Sequence, residues 1–147
     1  MRLATQLDSL PFLLAGASDA MLKQRSPSGK WSAHENLAHL VCHHAATMQR
    51  IERMMRDNRP ALPSYRAETD PDWPTTTALA TDEVLLRLRE LRQQFVDMFG
   101  RLSDSQLSRV GLHPSFGEMT VAQWVDFFLI HEAHHVYVFI NRSHGRD

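Results

Sequence analysis

Apolar residues recur along most of this chain at intervals of three and four, the period of a helix that buries one face. The clearest run is Leu37, Val41, His44, Met48, Ile51 and Met55. A Ser32-Ala33-His34-Glu35 capping box precedes it, with Trp31 before the cap, and Asn58-Arg59-Pro60 follows. A helix is therefore predicted over residues 32–57. Leu3, Leu7, Leu10 and Leu14 predict another over 3–23; Pro11 either kinks it or marks its real start with Ser9 as the cap, and one kinked helix is favoured. Val84, Leu88, Leu91, Phe95 and Met98 predict a third over 81–101, with Asp82 and Glu83 at its positive end. The fourth, over 120–141, opens with the box Thr120 to Gln123 just after Gly117. Its stripe is Trp124, Phe128, His131, His135 and Phe139.

Between the second and third helices lie Pro60, Pro63, Pro71 and Pro74. Residues 58–80 read as a long crossover loop without secondary structure, with Tyr65 and Trp73 as its anchors to the helices. Loops of this length often cover a site or an interface. The connection from Ser103 to Met119 predicts one short helical turn near Ser105–Ser108 and no strand. Four amphipathic helices in 147 residues predict an all-α four-helix bundle, one domain spanning residues 1–147.

Charge and composition narrow the function. The formal net charge is -1 and no basic run occurs, which argues against a nucleic-acid partner. No apolar stretch approaches 18 residues and the N-terminus lacks an apolar signal core, so neither a membrane span nor a membrane partner is expected. The single cysteine, Cys42, excludes an internal disulfide and fits a reducing, cytoplasmic compartment. It reads as a small core residue.

The candidate chemistry lies in the nine histidines. His131 and His135 are four apart, so a helix places them on one face about one turn apart. They continue the apolar stripe of the last helix, where an imidazole needs a hydrogen-bond partner or a metal ion. Zinc, nickel and ferrous ions take imidazole nitrogen readily, and a catalytic zinc site commonly has three protein ligands and one open position. The third ligand must come from another helix, with His39, His43 and His44 as candidates. His44 lies on the apolar seam, so spacing favours it. His39 lies well round from the seam, yet Leu37, Ala38, Leu40, Val41, Cys42, Ala45 and Ala46 make that half of the helix apolar on several sides. The residues His131 to His135 also spell H-E-x-x-H, in which Glu132 would be the base of a metal-dependent hydrolase. A lone histidine on an apolar face is more often a hydrogen-bonded core residue. His34, His113 and His144 read as surface or loop residues.

Three segments together resemble the DinB/YfiT-like superfamily of small metal-binding four-helix proteins. They are K-W-S-A-H-E-N-L-A-H-L (Lys30 to Leu40), H-P-S-F-G-E-M-T-V-A-Q-W (His113 to Trp124) and H-E-A-H-H (131 to 135). The resemblance implies His39, His131 and His135 as metal ligands, in place of His44. It implies a divalent ion, zinc or nickel before iron or manganese, and a homodimer. Characterised relatives include metal-dependent transferases acting with low-molecular-weight thiols such as bacillithiol and mycothiol, so a small-molecule thiol or electrophile is the expected partner. The alternatives are a stress-related metal-binding protein without turnover and, last, a hydrolase using Glu132. Metal affinity is expected to fall as pH drops through the imidazole range.

Overall fold

The computed structural model describes residues 2–146; residues 1 and 147, the two ends of the predicted domain, lie outside them. The helices begin where the sequence supplies caps. In α4 (Ala33–Arg56) Ser32 Oγ accepts from Glu35 N at 3.1 Å, and Ser32 N donates to Glu35 Oε2 at 2.8 Å. In α8 (Val121–Ser143) Thr120 and Gln123 form the same reciprocal pair. The helix α6 (Thr81–Gly100) has Ala80 at its cap and borrows a carboxylate instead: Asp19 Oδ1 accepts from Thr81 N at 3.2 Å and from the Thr81 hydroxyl at 2.5 Å.

The N-terminal segment is not one kinked helix. It forms α1 (Arg2–Thr5), α2 (Leu10–Leu13) and α3 (Asp19–Lys23). Pro11 stands in the first turn of α2, where its missing N–H costs nothing, so it starts a helix rather than bending one. Gly16, at φ 85°, turns the chain before Ser18 caps α3. The segment still completes the bundle, with α1 against α6 and α3 against α4 and α8.

The crossover is also more ordered than its prolines predict. It contains a 3-10 turn (Ala67–Thr69) and α5 (Trp73–Ala78), with Pro74 in the first turn of the latter. Tyr65 and Trp73 anchor it as expected, through ring contacts with His39, His43 and Trp31. After the predicted short turn, α7 (Asp104–Leu107), comes an antiparallel hairpin that the sequence reading lacked: β1 (Val110–His113) and β2 (Gly117–Thr120). Its loop closes on Gly117 at φ 70°, while Ser115 N and Phe116 N donate to His113 Nδ1 at 3.1 and 3.2 Å. His113 is therefore a turn-closing side chain rather than a loose one. Leu62 N donates to Leu112 O, and Leu112 N to Pro60 O, both at 2.9 Å, which pins the start of the crossover to the hairpin. Gly111 keeps this approach close, because a Cβ there would meet Leu62 Cδ1 at 2.7 Å and force Leu62 to shift.

The result is an all-α four-helix bundle with one small hairpin. Its core is divided. One apolar cluster holds Leu37, Leu40, Leu88 and Phe139; the other holds Ile51, Met54, Phe95, Trp124 and Phe128. Between these levels α4 contributes His43 and His44, α6 contributes Arg92, and α8 contributes His131, Glu132 and His135. A layer of polar side chains thus crosses the bundle at mid-height. No helix of the described residues is long and apolar enough to cross a membrane.

Candidate metal centre

The i,i+4 spacing in α8 puts His131 and His135 on the side that faces α4, and the apolar first half of α4 turns His39 toward them. Ring centroids lie 4.2 Å apart for His39 and His135, 5.1 Å for His39 and His131, and 4.5 Å for His131 and His135. One ring nitrogen from each lies within 4.8 Å of the other two. This is the trio that the resemblance implied. His44, which spacing favoured, points elsewhere.

Hydrogen bonds say which nitrogens are available. Asn36 Nδ2 donates to Ser32 O at 2.8 Å, which leaves Asn36 Oδ1 to accept from His135 Nδ1 at 2.9 Å. Nδ1 of His135 therefore carries the proton and Nε2 presents a lone pair. His39 Nε2 and His131 Nε2 approach to 3.3 Å. Their Nδ1 atoms are buried without a hydrogen-bond partner. At that distance either one ring, as its neutral Nε2–H tautomer, donates to the other, or a cation lies between them. Burial disfavours a second proton on any of the rings. It holds the His39 imidazole down to about 3, His131 to about 4 and His135 to about 2, with neighbouring histidines adding to each shift. A divalent cation fits this donor set.

The surroundings are aromatic. Trp31 lies 5.3 Å from His39 and 6.5 Å from His135, and Trp73 packs on Trp31 at 5.1 Å. Tyr65 stands on the other side, 5.6 Å from His39. His43 is buried one turn from His39, with its ring 4.0 Å from His131 and parallel to Phe128. It borders the trio without joining it.

Glu132 is not placed to act as a base. It is 0% exposed, paired with Arg92 and 3.3 Å from His44 Nε2. His44 Nδ1 donates to Leu40 O at 2.6 Å, so its Nε2 accepts from Arg92 Nε at 3.2 Å and Nη2 at 3.0 Å. Arg92 thus lies between the imidazole and the carboxylate and satisfies both. A residue 100° from His131 on a helix faces a different neighbour, and here that neighbour is α6. His34, read as a surface residue, is also buried. Its ring nitrogens lie 2.9 Å from Thr81 Oγ1 and 3.0 Å from Thr77 O, which fastens α4 to α5 and to the start of α6.

Asn36, Trp31 and Arg92 had no assigned site role in the sequence reading. For Asn36 a signal existed: it lies three residues before His39, on the same helix face. For Arg92 there was none beyond an arginine at a helix position flanked by core residues.

A helical bundle whose facing helices bring three histidines to one point defines a class of candidate metal proteins. The chain belongs to the DinB superfamily, whose sequence profile matches residues 2–138. It is 26% identical over 141 residues to YuaE of Bacillus subtilis, an uncharacterized protein, covering 84% of this chain and 83% of that one. It is 25% identical over 119 residues to a protein of Oceanobacillus iheyensis provisionally named a metal-dependent hydrolase, covering 81% and 68%. Among solved structures it is similar to YfiT from Bacillus subtilis, described as a probable metal-dependent hydrolase with an unusual four-helix bundle topology. The TM-score is 0.77 at 20% identity, over 99% of this chain and 87% of that one.

Proposed function

We propose that His39, His131 and His135 hold one divalent cation through Nε2, and that the protein is a metal-dependent transferase delivering a small-molecule thiol to an electrophile. The observation that carries this reading is three neutral imidazoles facing one point, with the motif's carboxylate, Glu132, withheld by Arg92. When bound, the cation would supply an undiminished +2 charge and an open position that favours an anionic sulfur or oxygen ligand. Among the described residues no serine or cysteine presents a nucleophile there. Cys42 is buried, its Sγ lies 3.7 Å from Thr76 Oγ1, and burial pushes its thiol pKa up. The nucleophile must then arrive with the cosubstrate. A thiol, with a pKa of about 8.5, needs far less acidification than water at about 15.7, so a centre from which Glu132 is withheld favours the thiol. Trp31, Trp73 and Tyr65 would exclude water and hold the apolar part of the ligand. Zinc or nickel suits three imidazoles best, with iron or manganese after them. A thiol cosubstrate and the reduced Cys42 both suit the cytoplasm.

The test begins with calorimetric titration of zinc and nickel, with one equivalent expected and His131→Ala abolishing it. The loaded protein is then offered several low-molecular-weight thiols with monochlorobimane. A rate above that of His131→Ala supports transfer; metal binding with no rate for any thiol leaves the non-enzymatic reading ahead. The names of the relatives favour a second reading, hydrolysis. Turnover of ester or amide substrates without thiol would establish that instead.

A further inference from the structure

A concave surface lies beside the histidines. It is a cleft of about 320 Å³ between the second half of α4 and the first part of the crossover. Gln49, Arg50 and Arg53 line it from α4, and Ser64, Arg66 and Thr69 from the crossover. Tyr65 belongs to both places: it lines the cleft, and its ring lies 5.6 Å from His39 and 5.2 Å from His43. One aromatic ring therefore separates the cleft from the centre.

The charges in the cleft are unbalanced. Arg53 is paired with Asp57, at 3.2 Å. Neither Arg50 nor Arg66 forms an ion pair among the described residues. The one lining carboxylate is Asp70, whose Oδ1 accepts from Asp72 N at 2.9 Å. Arg50 is held in place: its Nη2 donates to Pro63 O at 2.6 Å and its guanidinium lies over the Trp124 ring at 5.4 Å. A guanidinium has five N–H donors in a fixed fork, so an arginine pinned by one of them is preorganised to present others to an oxyanion. Ser64 and Gln49 add neutral donors at the same surface.

We propose that this cleft is a subsite for a small oxyanion, a carboxylate or a phosphoryl group, recognised by Arg50 and Arg66. It takes the acidic end of the molecule whose reacting group reaches the histidines, and this second part rests on the metal-centre reading. The substrate class is then an acidic small molecule that spans the Tyr65 ring.

The test uses metal-free protein at low ionic strength, titrated separately with malonate and with inorganic phosphate. Saturable binding of either is expected, and the tighter of the two tells carboxylate from phosphoryl recognition. Arg66→Gln removes an exposed side chain, so it should fold as the parent does, which thermal melting checks. It should weaken binding about tenfold, the effect of one charge-assisted hydrogen bond. Arg101→Gln makes the same charge change at the end of α6, away from the cleft, and should leave binding unchanged. Equal weakening by both variants, no effect of Arg66→Gln, or no saturable binding of either anion overturns the subsite. Because metal is absent from this titration, loss of the metal-centre reading would leave its outcome intact. Failure here with one zinc still bound would leave the centre intact.

Discussion

Replacing Glu132 by glutamine distinguishes a buried structural charge from a catalytic base. The Glu132 carboxylate accepts from Arg92 and from Gln6 Nε2, the latter at 2.7 Å. Gln6 Nε2 also donates to Leu129 O at 3.0 Å, and Arg92 Nη1 donates to Leu3 O at 2.6 Å. One network thus joins the N-terminal segment, α4, α6 and α8. Glutamine keeps the shape and an acceptor but removes the charge, leaving the Arg92 guanidinium buried and unpaired. Burial already pulls the Arg92 pKa down to about 10, so its environment resists the charge. Breaking one side of such a pair costs about 3–5 kcal/mol, a large share of the roughly 5–15 kcal/mol that a domain possesses. The melting temperature should fall by on the order of 10 °C. The three imidazoles keep their places, so zinc affinity measured well below the transition should stay within about threefold of wild type. The paired change Arg92→Met with Glu132→Leu removes both charges together and should cost less than either single change. Urea unfolding of Glu132→Gln, the two single changes and the paired change, with zinc titration of each, measures all of this. If Glu132→Gln unfolds within about 0.5 kcal/mol of wild type yet loses turnover or metal, the structural assignment is wrong and Glu132 acts at the metal.

Asn36→Ala frees the His135 ring to rotate and change tautomer, so zinc affinity should fall about 10- to 100-fold; unchanged affinity by calorimetry would show that Asn36 Oδ1 does not orient the ligand. His39 and His44 both have native pKa values of about 3 against about 6.5 when unfolded. The unfolded chain therefore binds more protons below pH 6.5, and metal-free stability is retained above that pH and lost as pH falls toward 3, by about 1.4 kcal/mol per unit for each residue. Urea midpoints that stay flat between pH 7 and 5 would contradict burial of neutral imidazoles. Gly111→Ala must displace Leu62, whose Cδ1 would lie 2.7 Å from the new Cβ; a loss of about 1–3 kcal/mol is expected by chemical unfolding.

Much of the fold was legible because it rests on local rules. The capping boxes at Ser32 and Thr120 set the starts of α4 and α8, and the heptad-like apolar positions set which faces meet. Two of the errors share a cause: a kink was preferred to a helix start at Pro11, and the crossover prolines were read as breaking all structure. Pro11 and Pro74 both stand in the first turn of a helix, where φ is already suitable and no N–H is needed. The hairpin was hidden for a different reason. Its strands, V-G-L-H and G-E-M-T, are four residues long and each contains a glycine, so neither shows the alternation that marks a strand. Their pairing depends on Leu62 and Pro60, contacts from fifty residues upstream that no local window contains.

The site was legible in part because periodicity reports burial, not partnership. Residues 39 and 44 differ by about 140° around a helix, and the apolar seam of α4 passes through His44. A seam position means core, and His44 is in the core, hydrogen-bonded to Leu40 O and Arg92. The seam argument was sound about location and misleading about role. The same holds for H-E-x-x-H. Its spelling is local, but its two functions point to different neighbours: His131 and His135 toward α4, Glu132 toward Arg92 on α6. An H-E-x-x-H glutamate can serve as a base only where the wedge it faces is open to substrate. In this bundle α6 fills that wedge with a guanidinium. The motif therefore divides into a pair of candidate ligands and a structural charge.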